Sequence, residues 1–97
     1  MTVAPQHFDR MPRPQQAGIL ANDIRFKRFV AVRLHLAREG AGTITVNTSA
    51  AAEFIRSECQ VASRRDLATD TAAAQRFDAL RTEFDAFTGR IARPERI

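Results

Sequence analysis

Between Thr71 and Thr88 the chain has neither Gly nor Pro, and from Ala73 onward its apolar residues keep strict helical spacing. Ala73, Phe77, Leu80, Phe84, Phe87 and Ile91 are separated by four, three, four, three and four positions. That series lies on one stripe of an α-helix and on no face of a strand. The stripe holds three of the chain's seven phenylalanines. Each large side chain buried is worth roughly 1.5–3 kcal/mol, so a long C-terminal helix is expected to anchor the core. Phe, Leu and Ile must fill that core, because there is no Trp and no Tyr.

The other segments also read as helices. Pro14 suits the opening of a short helix, Gln15 to Ala21, and Asn22 or Asp23 suits the cap of a second one running to about Ala37. In that second segment Phe26, Phe29, Val30, Val32, Leu34 and Leu36 form a broad apolar face. A hairpin is the competing reading, with strands on either side of Arg38-Glu39-Gly40-Ala41-Gly42 and pairing across residues 30–47. The caps before Phe26 favour the helix, which Gly40 or Gly42 would then end. Thr48 or Ser49 is expected to cap a helix to about Cys59, with Ala51, Phe54, Ile55 and Cys59 inward. Ser63-Arg64-Arg65-Asp66 matches a capping box ahead of Leu67. Thr69, Asp70 or Thr71 would cap the final helix, with Gly89 near its end and Pro94 beyond it. The expected fold class is all-α, a small bundle of four to five helices with a long C-terminal helix. Residues 15–97 would form a single helical domain, and residues 1–14, with three of the four prolines, a flexible N-terminal arm.

Ninety-seven residues suit one domain, and an apolar fraction of 44% is too high for wholesale disorder. No apolar run approaches the roughly 20 residues of a membrane span, and the N-terminus lacks the pattern of a secretory signal. A cytoplasmic location in the host cell, with no membrane partner, is the expectation. Cys59 is the only cysteine, which excludes an internal disulfide, and its place on an apolar helical face suggests a buried structural thiol. His7 and His35 have no metal-like spacing with Cys59 or with any carboxylate. Asp78, Glu83 and Asp85 read as surface acids, with Asp78 and Asp85 in ordinary pairs with Arg81, rather than a catalytic set. No catalytic residue, metal site or cofactor is expected, and the chain does not read as an enzyme.

Charge is where function shows. Residues 1–38 carry seven basic groups against two acidic ones, while residues 39–97 carry eight against nine. The net charge of +4 therefore lies in the front two fifths. Fourteen of the fifteen basic residues are Arg, the side chain suited to bidentate contact with phosphate or carboxylate. Lys27, Arg28, His35 and Arg38 collect on one arc of the second helix, with Arg25 and Arg33 toward the apolar side. Such an arc can lie along a phosphate backbone; the plainer reading is a solvated polar face. Ser49 to Asp70 also has the outline of a helix-turn-helix, in which Arg64 and Arg65 would open the recognition helix, although Gln60 stands where Gly is usual. The candidate nucleic-acid or partner-binding residues are Arg25, Lys27, Arg28, Arg33, His35, Arg38, Arg64 and Arg65.

Several stretches carry a resemblance. They are Gln16-Ala17-Gly18-Ile19-Leu20-Ala21-Asn22-Asp23, Arg25-Phe26, Arg28-Phe29, Ala51-Ala52-Glu53-Phe54-Ile55-Arg56, Ser63-Arg64-Arg65-Asp66-Leu67 and Arg76 through Phe87. Across most of its length the chain resembles small helical proteins encoded by phages and prophages near replication or recombination genes. Those proteins commonly have Pro after the Asp and Gly before the residue matching Val61, where this chain has Ile24 and Gln60. The resemblance implies a mobile-element origin and helix-packing motifs, not an active site. Three functions fit: a non-enzymatic accessory protein binding nucleic acid or a nucleoprotein complex; an anti-defence inhibitor such as an anti-CRISPR protein; or a homodimer using Phe8 or the Phe87 end of the last helix.

Overall fold

Proline and capping residues decide where the helices begin. The computed structural model describes residues 5–37 and 44–89. Helix α1 runs Pro5–Arg10, α2 Arg13–Asn22, α3 Ile24–Arg33, α4 Thr48–Cys59 and α5 Thr71–Phe87, with a 3-10 helix over Arg64–Ala68 between the last two. The fold is all-α, as the spacing predicts. Helix α2 starts with proline in its first turn, where a missing N–H costs nothing. Asp23 caps α3 by accepting from Arg25 N–H at 2.7 Å. Asn47, one residue before the expected caps, accepts from Ala50 N–H at 2.8 Å. Ser63 and Asp66 form the expected capping box, and Asp70 caps α5 through Ala73 N–H at 3.0 Å.

Helix α5 buries Ala73, Phe77, Leu80 and Phe84, four members of the expected stripe, and half-buries Phe87. Phe29 of α3 lies at the centre of the aromatic cluster. Its ring centroid is 5.6 Å from Phe26, 5.5 Å from Phe84, 5.3 Å from Phe87 and 6.5 Å from Phe54. Most of these rings meet edge to face, the favoured arrangement for aromatic quadrupoles. The inward face of α4 is Ala51, Phe54, Ile55 and Cys59, as expected, and Leu67 anchors the 3-10 helix.

Two chain reversals depart from the expected boundaries. Helix α3 ends at Arg33 rather than about Ala37. His35 takes a left-handed backbone at φ 62, its N–H bonds Val32 O at 2.9 Å, and Leu36 N–H bonds Ala31 O at 2.8 Å. This closes a Schellman motif and leaves Leu34 and Leu36 exposed rather than on the apolar face. The hairpin does not form among the described residues: Val30 to Arg33 complete α3, and residues 44–47 belong to no strand. Arg38, Gly40 and Gly42 lie outside the described residues, as do Ile91 and Pro94. Helix α4 ends in the same way as α3: Gln60 sits at φ 61, with bonds from Gln60 N–H to Ser57 O and from Val61 N–H to Arg56 O. Gln thus does the work usually given to Gly at that turn. Gly89, at φ 83, ends α5.

The segment expected as a flexible arm contains α1. Gln16 is buried and donates to Met11 O at 2.8 Å, while Arg81 bonds Asp9 at 2.8 Å and lies 4.8 Å from the Phe8 ring centroid. Together these tie α1 to α2 and α5.

Candidate nucleic-acid interface

Helix α3 sorts its basic residues by face. Phe26, Phe29 and Val30 point inward, and Arg33, four residues after Phe29, lies on the same side. Its Nη1 donates to Glu83 at 2.9 Å, Glu58 is 3.8 Å away, and the guanidinium sits 5.4 Å from the Phe29 centroid. Two carboxylates of its own chain already hold Arg33, so it is a poor candidate for an outside phosphate. Arg25 differs. Its contact with Asp23 is 3.3 Å long and its side chain is 61% exposed, so exchange for a phosphate costs little. Arg28 is exposed and Lys27 half-buried, and neither pairs with a carboxylate among the described residues. His35 is exposed at the left-handed end of α3.

Arg64 and Arg65 are exposed on the 3-10 helix and likewise form no ion pair with a described residue. They do not open a recognition helix. Five 3-10 residues rise about 2 Å each, a length of roughly 10 Å with no second α-helix to enter a major groove. The Arg64 guanidinium instead rests on α2. A Cβ added to Gly18 would lie 3.1 Å from both Cζ and Nη1 of Arg64. Between them opens a groove of about 660 Å³, lined by Met11, Gln15, Gly18, Ile19, Asn22, Asp23 and Arg64. Arg25 does not line the groove, but its ion-pair partner Asp23 does. Lys27 and Arg28 continue along α3 from Arg25, and Arg65 follows Arg64.

The acids are occupied elsewhere. Asp78 takes a bidentate bond from Arg13, at 2.9 and 2.8 Å, rather than pairing with Arg81. That bond holds the Arg13 guanidinium above its ordinary pKa. Arg81, 14% exposed, donates to Gln16 Oε1 at 2.7 Å, Asp9 at 2.8 Å and Asp85 at 3.4 Å. Glu53 pairs with Arg56. Asp66 and Asp70 cap helices. Every described carboxylate is therefore taken by an arginine or a helix N-terminus. Among the described residues the cations with no carboxylate partner are Arg10, Lys27, Arg28, Arg64, Arg65 and Arg76, and Arg76 donates to Cys59 O at 3.1 Å.

Cys59 is not poised as a nucleophile. Burial pushes the Cys59 thiol up to about 11, and among the described residues no group of three His, Cys, Asp or Glu could hold a metal ion. No described helix is long and apolar enough to cross a membrane. The seat of Arg64 on α2 was not anticipated from sequence. Its signal was an isolated Gly inside a helical stretch, which marks a close approach. Comparison with protein-family models, with curated proteins and with solved structures finds no match.

Proposed function

We propose that this chain is a non-enzymatic accessory protein of phage type that acts inside the host cell. It binds the phosphate backbone of nucleic acid, free or within a nucleoprotein complex, through Arg25, Lys27 and Arg28 on α3 and Arg64 and Arg65 on the 3-10 helix. One observation carries this reading: among the described residues each carboxylate has an arginine or a helix N-terminus as partner, while Lys27, Arg28, Arg64 and Arg65 have no carboxylate partner. Guanidinium groups without an internal partner fit phosphate oxygens in bidentate fashion, and release of condensed counterions drives such binding.

The test is fluorescence anisotropy with labelled DNA and RNA over a salt series. Affinity falls steeply with salt, and joint replacement of Arg25, Lys27 and Arg28 by Ala lowers the log–log slope by about 2–3. The loss is the same for every base sequence, because phosphate contacts read none. Absence of binding to single- or double-stranded DNA or RNA at low salt refutes the reading. Capture of a host nuclease or surveillance complex that survives nuclease treatment, with no binding of free nucleic acid, replaces it with the anti-defence inhibitor.

A further inference from the structure

We infer that the groove between α2, the start of α3 and the 3-10 helix seats an unstacked base of a single-stranded nucleic acid, with Arg64 on the adjoining phosphate. This rests on the phosphate-binding reading above and names the class of strand. The groove, about 660 Å³, is open to solvent, as a surface that receives one base of a longer strand must be. Its lining offers apolar, amide and cationic groups beside the Asp23 carboxylate, which Arg25 pairs at 3.3 Å. Met11 and Ile19 are apolar, and Ile19 is 45% exposed although it lies within a helix that packs on the core. The Gln15 side chain bonds no described residue. The Asn22 amide beside it is oriented by its bond to Gly18 O at 3.2 Å and by Thr48 Oγ1 at 3.3 Å. Those amides can meet a base edge, while the flat Arg64 guanidinium can stack on a ring or bind a phosphate.

Gly18 sets this arrangement. A glycine in mid-helix weakens α2, and any side chain there would meet the Arg64 head at 3.1 Å. Its absence lets the guanidinium lie against the helix at the groove wall, its planar face held while its donors make no bond to a described residue. Arg25, two residues after Asp23 and paired with it at 3.3 Å, supplies a phosphate contact outside the groove lining. A duplex keeps its bases stacked and offers only its outer phosphates, so it meets the arginines without filling the groove. A single strand can turn a base inward.

Gly18→Ala and Arg64→Ala, made in the full chain, test this by anisotropy with a labelled oligodeoxynucleotide and its duplex. The wild type is expected to hold the single strand about tenfold more tightly than the duplex. Each variant should bring single-strand affinity down toward that of the duplex. Arg64→Ala should also lower the salt slope by about one. The Gly18→Ala protein should melt at or above the wild-type temperature, because alanine favours the helix and only a flexible side-chain end must move. Equal wild-type affinity for both strands, with Gly18→Ala changing neither and Arg64→Ala lowering both alike, overturns the groove while leaving phosphate binding intact. Loss of all binding in the wild type at low salt overturns both. A Gly18→Ala protein that loses melting temperature together with both affinities marks the contact as packing and overturns the inference. A glutamate-rich peptide that shifts the Gly18 and Ile19 amide resonances, where the oligonucleotide does not, assigns the groove to a protein instead.

Discussion

Replacing Gln60 by glycine should make this protein more stable, although glycine usually does the opposite. Gln60 is exposed, so the change removes no packing, and its φ of 61 is one that a Cβ disfavours. A left-handed conformation costs an L-residue about 1–2 kcal/mol, whereas the extra unfolded-state freedom of glycine costs about 0.5–1 kcal/mol. The balance is a gain of about 0.5–1 kcal/mol, or a melting temperature higher by roughly 2–8 °C for a domain of this length. Thermal and urea unfolding followed by circular dichroism measures it, with two controls. Gln60→Ala keeps a Cβ and should change stability by no more than about 0.5 kcal/mol. Ala79→Gly, at an exposed position within α5, should cost about 1 kcal/mol. If Gln60→Gly lowers the midpoint as Ala79→Gly does, the backbone at Gln60 is not left-handed. The bonds that close α4 onto Ser57 and Arg56 then fail, and with them the direction in which the chain delivers Arg64 to α2.

Two further outcomes follow from the core. Phe84→Ala removes a buried ring packed 5.2 Å from Phe26 and 5.5 Å from Phe29, and should cost about 3–5 kcal/mol. A domain of this length has roughly 5–15 kcal/mol in all, so the urea midpoint of this variant should fall by about 1–5 M; a shift under 1 kcal/mol would contradict the aromatic cluster. Cys59 gives a pH signature. Burial raises its pKa from 9.0 to about 11, so folding favours the neutral thiol. That contribution is complete below pH 9 and is lost as pH rises toward 11. Wild-type stability should decline more steeply across that window than Cys59→Ala, and parallel declines would show that the thiol is not buried.

Sequence periodicity alone fixed the anchor helix, the inward faces of α4 and α5, and the capping box at Ser63 and Asp66. These are properties of neighbours within a turn or two, where spacing and cap chemistry act directly. The same local logic placed Cys59 in the core. It misjudged the end of α3, because Leu34 and Leu36 continue the apolar pattern beyond the point where His35 turns left-handed. It also gave Arg33 the same standing as Arg28. Only the approach of α4 and α5 distinguishes them, by setting Glu58 and Glu83 beside one and leaving the other in solvent.

The division is therefore one of range. Helix content, the all-α class and the arginine-rich front half are set by residues close in sequence, since propensity, caps and net charge need no partner from afar. Which arginines remain free was decided in three dimensions: Arg13 meets Asp78 and Arg81 meets Asp9 across separations of 65 and 72 residues. Ion pairing at a few ångströms depends on where helices are brought together, and no local pattern encodes that. The seat of Arg64 over Gly18 has the same origin, a missing side chain on one helix and a guanidinium delivered from another.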